Sequence, residues 1–161
     1  MTQIEIERKF IIKKPAFLKN LDRVEIKQTY LLSNEGTRRV RSWEQGDVKK
    51  YYFTSKKHIS ALSCEETECE IGQKEYEFLL MQKDPHRNTI EKIRYFYPVG
   101  ELVFEIDEYP FWQRQCVMEI ELNGEEQEFS IPMDIEVICE VTEDKAYKNF
   151  ALAKRVPEEL I

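Results

Sequence analysis

Charged side chains of one sign recur at alternate positions in six short segments of this sequence. The acidic sets are Glu5/Glu7, Glu66/Glu68/Glu70, Glu105/Asp107 and Glu119/Glu121, and the basic sets are Arg39/Arg41 and Lys92/Arg94. Carboxylates are ligands for hard divalent cations, and arginine and lysine side chains bind phosphate oxygens. Together these residue types predict a site for a metal-bound polyanion.

The period-two spacing indicates that these residues lie on β-strands, where alternate side chains share one face. Apolar residues separate the charged ones and give each strand an opposite apolar face; they include Ile6, Val40, Ile93, Ile106 and Ile120. A solvated sheet face is the ordinary explanation of any single strand of this kind. In this chain, however, like charges are segregated strand by strand, which a solvated sheet avoids because neighbouring like charges repel.

A sheet that closes with its charged face inward would form a polar, water-filled tunnel. Lys9 and Lys56 would add to its basic groups. The apolar positions would then point outward, under a cover of helices and loops. A closed barrel also removes exposed sheet edges, which favours this arrangement.

The rest of the chain supports a mainly β fold of the α+β class. Runs rich in Ile, Val, Tyr and Phe predict strands at 3–12, 24–32, 37–44, 48–56, 64–71, 88–97, 101–109 and 115–122, with a short one near 135–141. Helical spacing predicts a helix over 73–83, with Tyr76, Leu79, Leu80 and Lys83 on one stripe, and a short helical turn within 15–21. A C-terminal helix is expected to begin with Thr142 as its N-cap and to end before Pro157.

Composition narrows the functional classes. We expect the 161 residues to form a single domain, 1–161, and the net charge of −7 argues against nucleic-acid binding. No apolar stretch is long enough to span a membrane, and the N-terminal segment lacks the apolar run of a secretory signal, so we expect no membrane association and a cytoplasmic protein.

The metal-binding residue types narrow the choice further. The four cysteines lack metal-site spacing and are expected to be reduced thiols. With only two histidines, His58 and His86, a bound metal should be oxygen-liganded, which means Mg²⁺ or Mn²⁺.

The motifs, in their order along the chain, resemble those of the CYTH, or triphosphate tunnel metalloenzyme, superfamily. The signature ExExK of the first strand corresponds to Glu5-Ile6-Glu7-Arg8-Lys9. The similarity extends over nearly the whole chain, through segments 28–31, 39–41, 54–56, 66–71, 92–95, 105–109, 119–122 and 140–144. This resemblance implies a closed eight-stranded antiparallel β-barrel that binds triphosphate compounds together with a divalent metal.

The resemblance also implies roles for individual residues. Glu5, Glu7, Asp107, Glu119 and Glu121 are the expected metal carboxylates, and Glu66, Glu68 and Glu105 are further acidic candidates. Lys9, Arg39, Arg41, Lys56, Lys92 and Arg94 are the expected phosphate-binding set. Lys9 and Tyr30 match a pair that positions or activates the attacking water. Each residue also has an ordinary explanation: Tyr30 as a packed strand aromatic, Lys56 as a surface lysine.

The predicted activity is metal-dependent hydrolysis of inorganic triphosphate, and also of nucleoside triphosphates as a broader substrate range. Three alternatives stay open: a class IV-type adenylyl cyclase, a thiamine triphosphatase, and a non-catalytic polyphosphate- or nucleotide-binding module. An acidic β protein with an interaction surface is a fourth. The resemblance makes a homodimer an expectation, with Trp43, Phe111 and Trp112 as interface aromatics or as caps on the apolar face.

Two departures from the family pattern affect the site. Lys57-His58 follows Lys56 where members often have glycine, and Ala146 stands where many members carry a basic residue. We therefore expect one phosphate contact to be missing or to be supplied by Lys145.

Overall fold

The computed structural model describes residues 2–161, which fold mainly into β-strands. The strands are β1 (Thr2–Lys13), β2 (Asp22–Leu31), β3 (Thr37–Gln45), β4 (Val48–His58), β5 (Ser63–Ile71), β6 (Ile90–Val99), β7 (Leu102–Glu108), β8 (Gln115–Leu122) and β9 (Val137–Glu140). The helices are α1 (Gln73–Leu80) and α2 (Asn149–Leu152), with 3-10 turns at Leu18–Asn20 and Lys145–Tyr147. Each predicted strand is present, with ends that differ by a few residues.

Strands β1 to β8 form a closed antiparallel barrel in the order β5-β4-β3-β2-β6-β7-β8-β1, and β1 pairs back with β5. The length of β1 makes this closure possible. Its residues 2–6 pair with β5, whereas residues 10–12 pair with β9, which lies outside the eight-stranded ring. The predicted eight-stranded barrel is confirmed, and β9 is an additional strand that pairs with β1 outside the barrel.

The outward faces of β1, β6, β7 and β8 carry one of the two apolar cores. Ile106, Met118 and Ile120 are almost completely buried there, and Ile6 and Ile93 pack against them. Phe17 and Leu18 cover this face from the segment after β1, and Phe129 and Ile135 cover it from the segment after β8. The apolar positions thus lie outside the barrel, as the alternation predicts.

A second apolar core closes one end of the barrel. Ile11, Tyr30 and Val117 from the barrel wall pack with Tyr147 and Leu152 from the C-terminal segment. Burial of these side chains removes apolar surface from water and holds residues 141–153 across the strand ends. The C-terminal segment therefore packs against this end of the barrel.

The C-terminal segment is less helical than its sequence predicts. Lys148 has an extended backbone, with φ −74° and ψ 142°, and it separates the turn at Lys145–Tyr147 from the single turn of α2. Asp144 caps the first turn by accepting a hydrogen bond from the Ala146 amide. Thr142 is not the N-cap; its hydroxyl accepts a hydrogen bond from the Lys9 amide and joins this segment to β1.

Two further expectations concern membranes and thiols. In residues 2–161 none of the helices is long and apolar enough to cross a bilayer. Cys64, Cys69, Cys116 and Cys139 are all free thiols, as predicted. Burial raises the pKa of both Cys64 and Cys116 to about 12, so neither is a reactive thiolate at neutral pH.

Candidate active site

The barrel encloses a cavity of about 270 Å³ whose wall contains most of the charged residues singled out in the sequence. Small-molecule sites typically measure about 300–1,000 Å³, so this cavity suits a compact ligand. The predicted residues that line it are Glu5, Glu7, Lys9, Tyr30, Arg39, Arg41, Lys56, Glu66, Glu68, Lys92, Arg94, Glu105, Glu119 and Glu121. Asp107 does not belong to this lining, and Glu70 lies at the surface, 3.9 Å from Lys50.

Strand β3 contributes the two arginines of the cavity. Arg41 donates to Glu68 over 2.6 Å, whereas Arg39 lies 4.0 Å from Glu66. The Nε atoms of both guanidinium groups are buried without a hydrogen-bond partner in the described part of the chain. Burial, together with the neighbouring Arg39, lowers the pKa of Arg41 to about 10. Together the Arg39 and Arg41 guanidinium groups form a positively charged wall with N–H donors that no acceptor of residues 2–161 uses.

Lys56 joins two strands that close the barrel. Its ammonium group donates to Glu5 over 2.5 Å and lies 3.1 Å from Glu66. The Cys64 thiol, 3.2 Å away, also contacts the Glu5 carboxylate. Burial by itself would raise the pKa of Glu5, but Lys56 outweighs it and keeps that pKa low. Glu5 is therefore an ionised partner of Lys56.

Lys92 and Arg94 on β6 share one carboxylate on β7. Asp107 accepts from the Lys92 ammonium over 2.7 Å and from the Arg94 Nε and Nη2 over 2.7 and 2.8 Å. Asp107 is completely buried, and Arg94 also contacts Glu105. Burial, followed by the charge of Arg94, lowers the pKa of Lys92 to about 8. Asp107 thus fixes two cations that line the cavity.

Glu7, Glu119 and Lys9 form the acidic part of the site, on the adjacent strands β1 and β8. Burial and the nearby Glu119 carboxylate raise the pKa of Glu7 to about 8. Burial also disfavours charge on Glu119, but Lys9 and Arg94 outweigh it and hold the pKa of Glu119 far below its ordinary value. At neutral pH one proton therefore sits on Glu7 beside an ionised Glu119.

Glu119 pairs loosely with Lys9 and Arg94, at 3.6 and 3.7 Å, and one of its oxygens has no hydrogen bond to the residues that the structure describes. The Oε1 atom of Glu119 is buried and has no hydrogen bond within residues 2–161, because Lys9 lies 3.6 Å from it. Glu121 lines the cavity nearby, and burial and Glu5 raise its pKa. No three Asp, Glu, His or Cys side chains of the described chain converge closely enough to enclose a metal by themselves.

Tyr30 and Lys9 are the two residues matched to water activation. The Tyr30 hydroxyl accepts a hydrogen bond from the Gln28 side-chain amide over 2.7 Å. The Lys9 ammonium lies 3.4 Å from the Tyr147 carbonyl. Burial lowers the pKa of Lys9, but Glu119 and Glu7 outweigh this effect and raise it, so Lys9 stays protonated. Lys9 lies 3.6 Å from Glu119, and both Lys9 and Tyr30 line the cavity.

Several residues line the cavity without having been predicted to do so, and among them is Trp43, which was expected as an interface aromatic or as a cap on the apolar face. His58 continues the inward alternation of Lys56, so its position follows from the same period-two spacing. Lys148 and Asn149 also line the cavity, together with Thr142 and Trp43. The sequence predicts a continuous C-terminal helix through Lys148, whereas the extended backbone of Lys148 interrupts that helix in the structure. The sequence pattern therefore does not predict that Lys148 lines the cavity. Lys145, expected as the substitute for the basic residue missing at Ala146, is exposed and does not line the cavity.

Comparisons with known proteins agree with the family resemblance that the sequence motifs indicate. A comparison with models of protein families found no match. The chain is 35% identical over 159 residues to a protein of Nitrosomonas europaea named inorganic triphosphatase. The aligned region covers 95% of this chain and 99% of the relative.

Solved structures agree with that relationship. A crystal structure of an inorganic triphosphatase is 31% identical, covers 96% of this chain and 97% of the other, and has a TM-score of 0.57. A Hippeastrum protein described as revealing a dominant triphosphatase activity is 17% identical. The match covers 74% of this chain and 80% of the other, with a TM-score of 0.52, and it shows likeness of fold alone.

Proposed function

Because this chain belongs to the CYTH superfamily, among the bacterial inorganic triphosphatases, we propose that it hydrolyses inorganic triphosphate to pyrophosphate and phosphate inside the barrel. The observation that carries this proposal is the division of one cavity into a cationic wall and an acidic wall. Arg39, Arg41 and Arg94 stand on the cationic wall, and Glu7 and Glu119 stand on the acidic wall. A phosphate chain would neutralise the cationic wall, and a divalent cation bound to that chain would neutralise the acidic wall.

The cationic groups bind and orient the substrate. Guanidinium groups contact phosphate oxygens through two donors at once, which fixes direction as well as position. The unpartnered Nε atoms of Arg39 and Arg41 support this role, since a buried donor without an acceptor is unfavourable. Lys56 and Lys92 add charge on either side of these arginines. Holding the chain in line with the attacking water accounts for much of the rate in such reactions.

The donor set fits a divalent cation. Mg²⁺ is commonly held by one or two carboxylates and completed by water and phosphate oxygens, and Mn²⁺ takes similar ligands. Glu7 and Glu119 supply such a pair, with Glu121 adjacent, and the unpartnered Oε1 of Glu119 is the expected ligand atom. When bound, the cation would neutralise charge that develops on the phosphoryl group under attack. Glu5 and Asp107 are already engaged with Lys56, Lys92 and Arg94, so they act by positioning those cations.

Lys9 and Tyr30 orient the nucleophilic water in this proposal. The protonated Lys9 neutralises charge near Glu119, and the Tyr30 hydroxyl, which accepts from Gln28, directs its own proton toward the cavity. Attack of this water on a terminal phosphorus breaks one phosphoanhydride bond and releases phosphate and pyrophosphate. Glu66, Glu68 and Glu105 keep the arginines and Lys56 in place.

A panel assay of phosphate release tests the proposal. The substrates are triphosphate, pyrophosphate, longer polyphosphates, ATP and thiamine triphosphate, each with Mg²⁺ or Mn²⁺ and each in chelator. We expect triphosphate to be the best substrate and chelator to abolish turnover. Replacing Glu119 by alanine should lower the rate at least about a hundredfold, as loss of a major electrostatic interaction does. Full activity of a Glu119→Ala/Glu121→Ala double variant, or cyclic AMP as the main product from ATP, would contradict it.

A further inference from the structure

Lys148 and His58 meet at the rim of the cavity. His58 is the last residue of β4, and Lys148 lies between the turn at Lys145–Tyr147 and α2. The two ring nitrogens of His58 are 3.3 and 3.4 Å from the Lys148 ammonium, and both side chains line the cavity. The extended backbone of Lys148 is the irregularity that interrupts the C-terminal helix.

Lys148 differs from the other cations of the cavity in having no carboxylate partner. Lys9, Arg39, Arg41, Lys56, Lys92 and Arg94 each lie within 4.0 Å of at least one Glu or Asp oxygen. Lys148 forms no such ion pair with any residue from 2 to 161. A half-buried ammonium group without a counter-ion is unfavourable unless a ligand supplies the charge.

The contact with His58 does not replace a counter-ion. The ammonium group is nearly equidistant from both ring nitrogens, so it does not lie along the lone pair of either one. Burial, Lys148 and Lys56 lower the pKa of His58, while burial and Lys9 lower that of Lys148. Lys9, Lys56 and Lys145 are the basic groups around this pair, and Glu7 and Cys64 are the acidic ones. At the rim, Lys148 therefore carries a positive charge that no carboxylate of residues 2–161 pairs with.

We propose that Lys148 and His58 bind an outer phosphoryl group of a linear inorganic polyphosphate whose inner groups are held by the arginines of the barrel. This inference rests on the proposed function, because it assigns the far end of the same substrate. It makes Lys148 a residue that distinguishes a triphosphate from a shorter chain. On this assignment, a pyrophosphate held by Arg39 and Arg41 leaves Lys148 and His58 without a phosphoryl group to bind.

The test compares Lys148→Met with Lys145→Met. Both variants remove one positive charge from neighbouring positions, but Lys145 is exposed and does not line the cavity. Titration calorimetry in chelator measures binding of tripolyphosphate and of pyrophosphate without turnover. We expect Lys148→Met to weaken tripolyphosphate binding about tenfold, the usual effect of one charged hydrogen bond, and pyrophosphate binding less than about twofold. Lys145→Met should bind both like the unmodified protein, and Lys148→Arg should bind tripolyphosphate nearly as well.

Kinetics with metal provide a second measurement, in which KM for triphosphate should rise and kcat should change little. Equal affinities of Lys148→Met and Lys145→Met for tripolyphosphate, at matched urea unfolding midpoints, would overturn the inference and leave the proposed function intact. The inference would also be overturned if Lys148→Met weakened the binding of pyrophosphate as strongly as that of tripolyphosphate. If Lys148→Met does not fold, Lys148→Gln takes its place in the same comparison. A protein that binds tripolyphosphate through Lys148 but releases no phosphate would contradict the proposed function alone.

Discussion

Arg94 and Asp107 meet across β6 and β7 in a two-point ion pair, with the Arg94 Nε and Nη2 atoms 2.7 and 2.8 Å from the two carboxylate oxygens. The same carboxylate accepts from Lys92 over 2.7 Å. Asp107 is completely buried and stands behind the cations rather than on the cavity surface. Asp107 therefore holds two cations in place, a role that the spacing of acidic residues in the sequence does not distinguish from metal binding.

Asp107→Asn should therefore damage stability more than metal binding. The change leaves Lys92 and Arg94 buried without their shared counter-charge, which typically costs about 3–5 kcal/mol. Urea unfolding should detect this loss, and Mn²⁺ titration followed by electron paramagnetic resonance should give nearly unchanged affinity. Glu119→Gln is the matched comparison and should lose Mn²⁺ affinity. Loss of Mn²⁺ affinity in Asp107→Asn, with stability retained, would make Asp107 a ligand.

The metal-free protein should lose stability as pH rises toward 8, and Glu7 should account for part of this loss. Its pKa in the folded protein is about 8, above the ordinary value of 4.5, so the folded state holds more protons in that interval. The stabilising contribution is complete below about pH 4.5 and disappears as pH rises through 8, by at most about 1.4 kcal/mol per pH unit. Urea unfolding in chelator at several pH values measures it, and Glu7→Gln should show a flatter profile. Identical profiles would mean that Glu7 does not hold the proton.

Tyr30→Phe should lower kcat for triphosphate about a hundredfold or more while KM stays nearly constant. The variant removes the hydroxyl that accepts from Gln28 and keeps the ring that packs in the apolar core. Misplacement of a reacting group by about 1 Å typically costs about a hundredfold in rate. Tyr97→Phe is the control, because the Tyr97 hydroxyl binds Asp134 outside the barrel. Equal kcat values for the two variants would exclude a role for Tyr30 in the chemical step.

Gly36→Ala should be more destabilising than Gly46→Ala, although both glycines have positive φ angles of 65° and 57°. A left-handed backbone costs an alanine about 1 kcal/mol at either position. A Cβ at Gly36 would also lie 2.1 Å from the Lys56 carbonyl oxygen, whereas nothing lies within 4 Å at Gly46. Moving that backbone should cost about 2 kcal/mol more and displace Lys56 from the cavity. Urea unfolding and triphosphate affinity test both effects, and equal unfolding midpoints would contradict this explanation.

The alternation of side chains along each strand accounts for most of the site residues that the sequence predicted correctly. Glu7, Arg39, Arg94 and Glu119 face one cavity because period-two spacing puts them on one side of their strands, and closure brings those sides together. The C-terminal segment was predicted less well. Its composition suits a helix, but burial of Tyr147 and the Thr142–Lys9 hydrogen bond hold it against the barrel end in a broken form.

By itself, the sequence determined which residues share a face and that this face is charged, because side-chain direction along a strand depends on local geometry alone. Only the tertiary structure decided which carboxylates are already engaged with a cation and which are left for a ligand. Glu5 and Asp107 belong to the first group, and Glu119 retains an unpartnered oxygen. The structure also decided that Lys148, rather than Lys145, reaches the cavity. These outcomes depend on distances across strands and between chain segments far apart in sequence, which no local pattern contains.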